Sequence, residues 1–380
     1  MCRLDEFLYF KRMKILIAAT LKPVNDPRLY EKIALSLAQS GHYEVCIAGY
    51  DNSLIPVATK KVKFYPLFKF GRLSFQRVFS PWRIWSLIRR EKPDLLVIAT
   101  HELLLTAFLM KVCFGRKVLY DIQENYFYNI LYMGAFPFLI RHLLAFHVRL
   151  KEWLFAPFLD GYILAEQVYR EQLGFIGRKA IVIENKNRRR GESDEKRPPT
   201  ASAFRFLYTG TISEAYGIWR ALFFVEKLHE LEPAASLAII GYTPDKSLIG
   251  RIAMWIKDKP YIQADMRSKP VPYPEIQRLM ADGGVPLLPY KANKAIKGKI
   301  PTRFWEGLSH QSPMIVERDL GLQNLVRRYG CGLILDFDHF SPERVWRDLR
   351  EGVFYPEPPG PEIYWDADER RLLDWMDEAL

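Results

Sequence analysis

Residues 291–306 carry the densest chemistry in the chain: Lys291, Lys294, Lys297, Lys299 and Arg303 are cations, and Glu306 follows Arg303 by one helical turn. Cations at that density suit a diphosphate, because charge-assisted hydrogen bonds to phosphate oxygens are the strong ones. A carboxylate at 306 can accept two hydrogen bonds from a vicinal diol such as that of a ribose. The bland alternative is an exposed Arg303–Glu306 pair, which contributes little. Phe304, Trp305 and Leu308 argue instead for a largely buried helix, with Thr302 placed to cap it.

Three further clusters could touch a ligand. In the segment 208–213, Gly210 and Thr211 are small enough for backbone to approach a phosphate ahead of a helix N-terminus. Gly241 and Tyr242 form a similar pair, and both segments also read as ordinary tight turns. In 121–125, Gln123 can donate and accept hydrogen bonds but cannot shuttle a proton, and Glu124 is either a base or the cap of the next helix. Asp26 reads as an N-cap ahead of Pro27, and His101 and Glu102 follow another apolar run. Asp336-Phe337-Asp338 has the letters of a metal-binding Asp-x-Asp but lacks its surroundings, so no metal is expected. Cys2, Cys46, Cys113 and Cys331 lie far apart without ligand-like spacing, which indicates a reducing compartment and no Cys-based zinc site.

The elements that must position these residues are legible as alternation. Short β-rich apolar runs alternate with helical patterns from Lys14 onward, the signature of βαβ units and a mostly parallel sheet. Strands are expected at 14–19, 44–48, 95–100, 117–122, 161–164 and 180–183. A helix at 27–40 has Leu29, Ile33, Ala34 and Leu37 on one face and Gly41 as its stop. The alternation fails across 191–202, charged and rich in Pro and Gly, and restarts with strands at 205–208, 236–240, 284–287, 314–316 and 332–335. The expected organisation is a first domain at 1–190, a linker at 191–202, a second domain at 203–355, and a Pro-rich segment with a C-terminal helix at 356–380. Ligands of doubly wound domains sit beyond the carboxyl ends of strands, where the clusters above fall.

At 380 residues, 49% hydrophobic and 26% charged, the chain can build two cores and has no disordered character. The first twelve residues mix charges with aromatics, so no secretory leader is expected, and no apolar run approaches the ~20 residues of a membrane span. The net charge of +11 is uneven: from 60 to 92 lysine and arginine recur with Glu91 the sole acid, interleaved with aromatics such as Phe64, Phe75 and Trp82. That pattern suits an anionic bilayer surface, would also suit nucleic acid, and is equally a solvated basic face.

The run from Pro301 to Val316 resembles the Pro-x-Lys-x-x-Glu-x-x-(Ala/Ser)-x-Gly-x-Pro-x-Ile segment of GT-B glycosyltransferases of the group 1, family 4-like type. Asp26-Pro27-Arg28, Lys92-Pro93-Asp94, Tyr120 to Glu124, Tyr208-Thr209-Gly210 and Gly241-Tyr242 extend the resemblance over nearly the whole chain. It implies an α/β fold of the GT-B type, with two Rossmann-like doubly wound domains facing a cleft and a C-terminal helix packing back. It implies transfer of a sugar from a UDP- or GDP-sugar to a cell-envelope glycan or lipid-linked acceptor, with retention and without metal. The nucleotide sugar is then a co-substrate and no separate cofactor is expected.

By the same resemblance Glu306 holds the donor ribose, while Gly210, Thr211, Gly241, Tyr242, Lys297, Lys299 and Arg303 contact the donor. Gln123, Glu124 and Glu306 take the catalytic positions. The implied setting is cytoplasmic, peripheral on the inner face of the membrane, without a nucleic-acid partner. The chain departs from the family where it matters: Thr211 and Tyr216 stand where Arg and Lys usually grip the pyrophosphate, Gly298 replaces a sugar-contacting Glu, and Gln311 replaces a glycine. Diphosphate neutralisation then falls on Arg303 and the lysines of 291–299. A catalytically inactive GT-B scaffold and a GT-B nucleotide-sugar epimerase are the alternatives.

Overall fold

The structure, a computed structural model, describes residues 12–52, 61–71, 74–134, 136–189 and 205–379. The expected linker at 191–202, and Lys60 and Arg72 of the basic stretch, lie outside the described residues. Of the described residues, those within 1–131, 135–184 and 368–380 form one compact unit, and those within 132–134 and 185–367 form a second.

The first unit is built on seven parallel strands: β1 (Met13–Pro23), β2 (Tyr43–Tyr50), β3 (Val62–Phe68), β4 (Leu95–Ile98), β5 (Lys117–Ile122), β6 (Gly161–Leu164) and β7 (Ala180–Val182). They stand in the order β3-β2-β1-β4-β5-β6-β7. The second has β8 (Arg205–Thr211), β9 (Ser236–Tyr242), β10 (Ile262–Arg267), β11 (Val285–Leu288), β12 (Met314–Glu317) and β13 (Gly332–Leu335), ordered β10-β9-β8-β11-β12-β13. Helices cover both faces of such sheets, so central strands become near-continuous apolar runs, as in Ile15–Ala19, every residue of which is fully buried. In each sheet the strand order reverses once, between β1 and β4 and between β8 and β11. Those switch points open the crevice where ligands of doubly wound folds bind.

Two strands were not expected from the sequence, β3 and β10, and both are edge strands. An edge strand needs less apolar surface, and β10 leaves Gln263, Ala264 and Asp265 exposed. The first helical segment begins as expected at Pro27, with Asp26 accepting from the backbone N–H of Arg28 and Leu29. It runs as a π-helix over Pro27–Ala34 and continues as an α-helix over Leu35–Gln39, burying Leu29, Ile33, Ala34 and Leu37. The C-terminal helix, Trp365–Ala379, starts in the second unit and from Asp368 packs into the first. There Leu372 and Met376 are buried, the Tyr43 hydroxyl donates to Asp377 at 2.8 Å, and the Trp375 ring lies 3.0 Å from where a side chain on Gly161 would begin. Among the described residues no helix is long and apolar enough to cross a membrane.

One ion pair holds the carboxyl edge of the first sheet. Asp121, at the end of β5 and 0% exposed, accepts from Arg28 Nε at 3.0 Å and Nη2 at 2.7 Å. Arg28 Nη1 donates to the carbonyl of Ile183, just past β7, at 2.7 Å. Asp121→Asn takes the charge out of a buried, hydrogen-bonded ion pair, and removing one partner of such a pair typically costs about 3–5 kcal/mol. Urea unfolding should therefore show a lower midpoint by that amount; a loss under about 1 kcal/mol would mean that water reaches the pair.

Candidate functional site

In the second unit the helix Thr302–Ser309 turns Arg303 through Leu308 inward, so Arg303 and Glu306 are buried at 7% and 4% exposure. The exposed-pair reading of these residues fails on that burial. Thr302 does not cap this helix: Pro301 is the capping residue, Phe304 N–H donates to its carbonyl, and no side chain caps. The Arg303 guanidinium lies 4.6 Å from the Tyr208 ring centre and 5.4 Å from that of Tyr290. Its Nη2 donates to the Thr211 carbonyl at 3.0 Å, while Nη1 is buried and has no hydrogen-bond partner. The Glu306 carboxylate adds its field at Arg303 and Tyr290. Burial raises the Tyr208 and Tyr290 hydroxyls above their ordinary range, so both rings stay neutral π faces for the cation.

Gly210 and Thr211 are not in a turn, as expected, but in the last residues of β8, paired with Gly241 and Tyr242 of β9. The pairing accounts for the glycines. Gly210 has φ +82° and lies so close to Arg303 that a Cβ would sit 3.2 Å from Nη2, and a Cβ on Gly241 would strike the Gly210 carbonyl at 2.0 Å. The turn to the next helix comes later and ends at Gly217, φ +74°, which packs on the Pro289 carbonyl. Lys297 is exposed and Lys299 half-buried, on a loop pinned by the Gly298 N–H to the Leu320 carbonyl at 2.8 Å. The structure thus joins Arg303 to the 210–211 and 241–242 segments. Tyr208, inside β8, and Tyr290, two residues past β11, belong to the same cluster and were missed as site residues; their signal was nearness in sequence to Gly210 and to the run 291–306.

In the first unit the same Asp121 that binds Arg28 also accepts from Gln123 Nε2 at 2.8 Å. A carboxylate only accepts, so the amide nitrogen must face it and the amide oxygen of Gln123 is turned away as an acceptor. Glu124 does not cap the next helix. Asn125 does, accepting from the Tyr128 N–H, whereas Glu124 accepts from Asn129 Nδ2 at 2.8 Å and lies 3.8 Å from Lys22 Nζ. Beyond β4, Lys151 Nζ donates to His101 Nδ1 at 3.2 Å, which leaves the proton of the neutral ring on Nε2, 3.7 Å from Glu102. Glu102 is also ion-paired with Arg77. Asp336 and Asp338 engage arginines: Asp338 pairs with Arg220 at 2.9 Å and Asp336 with Arg318 at 3.2 Å. Among the described residues no group of His, Cys, Asp and Glu gathers to hold a metal ion.

No protein-family model and no curated protein sequence matches the chain. Solved structures do match in shape. HepE of Anabaena in complex with UDP superposes with a TM-score of 0.67 at 12% identity, over 96% of this chain and 100% of that one. Sucrose-phosphate synthase of Thermosynechococcus elongatus gives 0.68 at 12% identity, over 97% and 99%. A glycosyltransferase of Rickettsia africae gives 0.60 at 12%, over 97% and 99%.

The chain has the GT-B fold. Each half of this GT-B chain carries its candidate groups at carboxyl strand ends, Gln123 and Glu124 after β5 and Gly210, Thr211, Gly241 and Tyr242 in β8 and β9, with Arg303 against them.

Burial lowers the His101 imidazole to about 4, below the roughly 6.5 of an exposed histidine, so the folded GT-B chain favours the neutral ring. The stability this gives is full above about pH 6.5 and is lost as pH falls toward 4. His101→Gln removes that dependence. Its stability deficit against wild type should narrow by about 2 kcal/mol between pH 7.5 and pH 5 in urea titrations; a constant deficit would show that the ring titrates as in water.

Proposed function

We propose that the chain is a glycosyltransferase that moves a sugar from a UDP- or GDP-sugar to a hydroxyl of a cell-envelope glycan or lipid-linked acceptor. The observation that carries this reading is Arg303. Its buried guanidinium lies on two tyrosine faces, donates to one carbonyl, feels the field of Glu306, and among the described residues leaves Nη1 without a hydrogen-bond partner, an arm that an anionic ligand could engage. A leaving diphosphate is such an anion, and with Thr211 and Tyr216 standing at the usual Arg and Lys positions its neutralisation falls on Arg303 and the lysines of 291–299. The structures of HepE, similar in fold, are complexes with UDP and with UDP-glucose, which supports a nucleotide-sugar donor.

In this reading the bond between the anomeric carbon and the diphosphate breaks and the acceptor oxygen bonds to the same face of that carbon, with retention. The acceptor proton passes to the departing phosphate oxygen. Arg303 stabilises the developing negative charge, assisted by Lys297 and Lys299 from the adjoining loop. Glu306 accepts the two ribose hydroxyls, and the Gln123 amide oxygen accepts a hydroxyl of the transferred sugar, its orientation set by Asp121. Glu124 is the carboxylate nearest to Gln123 in sequence and completes the polar edge there. No metal and no cofactor besides the donor takes part. The acceptor places the enzyme in the cytoplasm, at the inner face of the membrane.

Arg303→Ala should weaken UDP binding by about 1.5–3 kcal/mol, while Lys246→Ala, at an exposed position away from these groups, should cost under about 1 kcal/mol. Calorimetry in which the two variants behave alike would remove Arg303 from the donor site. Glu306→Gln should also cost about 1.5–3 kcal/mol, and the loss should be coupled to the ribose: UDP lacking both ribose hydroxyls binds wild type more weakly but the variant little further. A coupling energy of zero in that double cycle would end the ribose assignment. Turnover of a panel of nucleotide sugars then separates a transferase from a donor-binding scaffold, which binds UDP without releasing it from any sugar.

A further inference from the structure

The helix Phe138–Phe155 packs the wrong way round for a helix in water. It turns Ala145, Val148 and Glu152 toward the first unit and holds its large apolar side chains outside. Leu139, Leu143, Phe146, Leu150 and Trp153 are 80%, 71%, 61%, 43% and 64% exposed. They recur at steps of four, three, four and three, a single stripe about 20 Å long on one side of the helix. Apolar side chains scattered singly on a surface need no explanation, but a continuous stripe of this size marks an interaction site.

The inward side of the helix is tied to its neighbours, where Phe155 and Trp85 pack against the core. Phe108, on Leu104–Phe114, meets Phe155 and Phe158 at ring distances of 5.6 and 4.6 Å, and Phe114 stacks on Trp85 of Ser80–Glu91 at 5.4 Å. Beyond them Phe75, Phe79 and Trp82 are 89%, 61% and 69% exposed. Across the three segments 75–91, 104–116 and 138–158 the sequence has nine Arg and Lys against two Glu. Four of these cations, Arg77, Lys111, Arg116 and Arg149, are taken up by Glu102, Asp160, Asp94 and Glu152, but on Ser80–Glu91 Arg83 is exposed and exposed Arg89 lies two turns beyond exposed Trp82 on the same helix face, so apolar and cationic side chains are presented together there.

We infer that this face lies on an anionic lipid bilayer, with the outward side of Phe138–Phe155 sunk among the headgroups and acyl boundary. Charge decides the occupant. A second copy of the chain would bring the same cations against their own images, which costs energy, whereas an anionic leaflet answers the cations and takes up the apolar side chains in one contact. The helix rests on the membrane and does not span it, because Arg141, Arg149, Lys151 and Glu152 interrupt its apolar sequence. The inference deepens the reading of an acceptor at the membrane by naming the surface that meets it, and the donor site plays no part in it.

The test sediments the full chain with vesicles of phosphatidylcholine alone and of phosphatidylcholine mixed with phosphatidylglycerol. Wild type should pellet with the mixed vesicles, less as salt rises. The triple variant Leu143→Gln, Phe146→Gln, Trp153→Gln should bind them at least tenfold more weakly, as should Arg83→Gln with Arg89→Gln. UDP affinity, measured in parallel, should stay unchanged in both, so a failed vesicle result leaves the donor reading standing and a failed UDP result leaves this one. Wild type that ignores mixed vesicles, or a triple variant that still binds them fully, overturns the proposal. So does a wild-type dimer that the triple variant dissolves in size-exclusion runs, which would assign the face to a second copy. Should the triple variant misfold, wild-type tryptophan quenching by brominated lipid decides: it should fall in Trp153→Phe, and equal quenching in both proteins refutes insertion of this helix.

Discussion

A carboxylate taken wholly out of water must find its partners inside the protein, and Asp121 finds them in Arg28 and Gln123. Arg28 gives it a forked pair, Gln123 gives it an amide N–H, and Arg28 spends its remaining arm on the Ile183 carbonyl. These groups come from the helix after β1, the end of β5 and the segment after β7, so one buried charge pair fixes the carboxyl edge across the first sheet. The pairing is expensive to assemble and more expensive to half-remove, which makes it a strong determinant of geometry even where its net contribution to stability is small. The direction of the Gln123 amide follows from it without any further interaction.

The second unit contains a buried arginine of the opposite kind. Arg28 has its arms matched to fixed acceptors, whereas Arg303 is held by two aromatic faces, the Thr211 carbonyl and the field of Glu306. The same side chain thus serves as a clamp in one half and as a cation cushioned on aromatic rings in the other, and the difference lies in what the surrounding strand ends supply. Around Arg303 they supply glycine: Gly210 has to be bare for the guanidinium to lie on it, and Gly241 has to be bare for β9 to approach Gly210.

How much of this could be read from the sequence follows from how local each signal is. Apolar runs and helix caps are local, so the alternation, the Asp26 cap and the stop at Gly41 were legible, while the return of the C-terminal helix came only through the family resemblance. The edge strands β3 and β10 were not, because burial on one side only leaves them no distinctive run. Gly210 and Gly241 read as turn residues because a glycine required by a neighbouring strand looks the same in sequence as one required by a turn. The Arg28–Asp121 pair joins positions 93 residues apart, and no local pattern reports such a partner. Phe138–Phe155 has ordinary amphipathic spacing, and only its packing reveals that the apolar side faces out.

The C-terminal helix crosses from the second unit into the first, and that has a temporal meaning. A ribosome delivers the chain from the N-terminus, so domains usually fold in the order in which they emerge. Here the strands of the first unit are complete by residue 184, yet the groups that cover Tyr43 and Gly161 do not emerge until Asp377 and Trp375 have been made. The nascent first unit must therefore wait, with part of its apolar surface open, while the whole second unit is synthesised. A protein of this design is exposed to chaperones and proteases longest in the half that is made first.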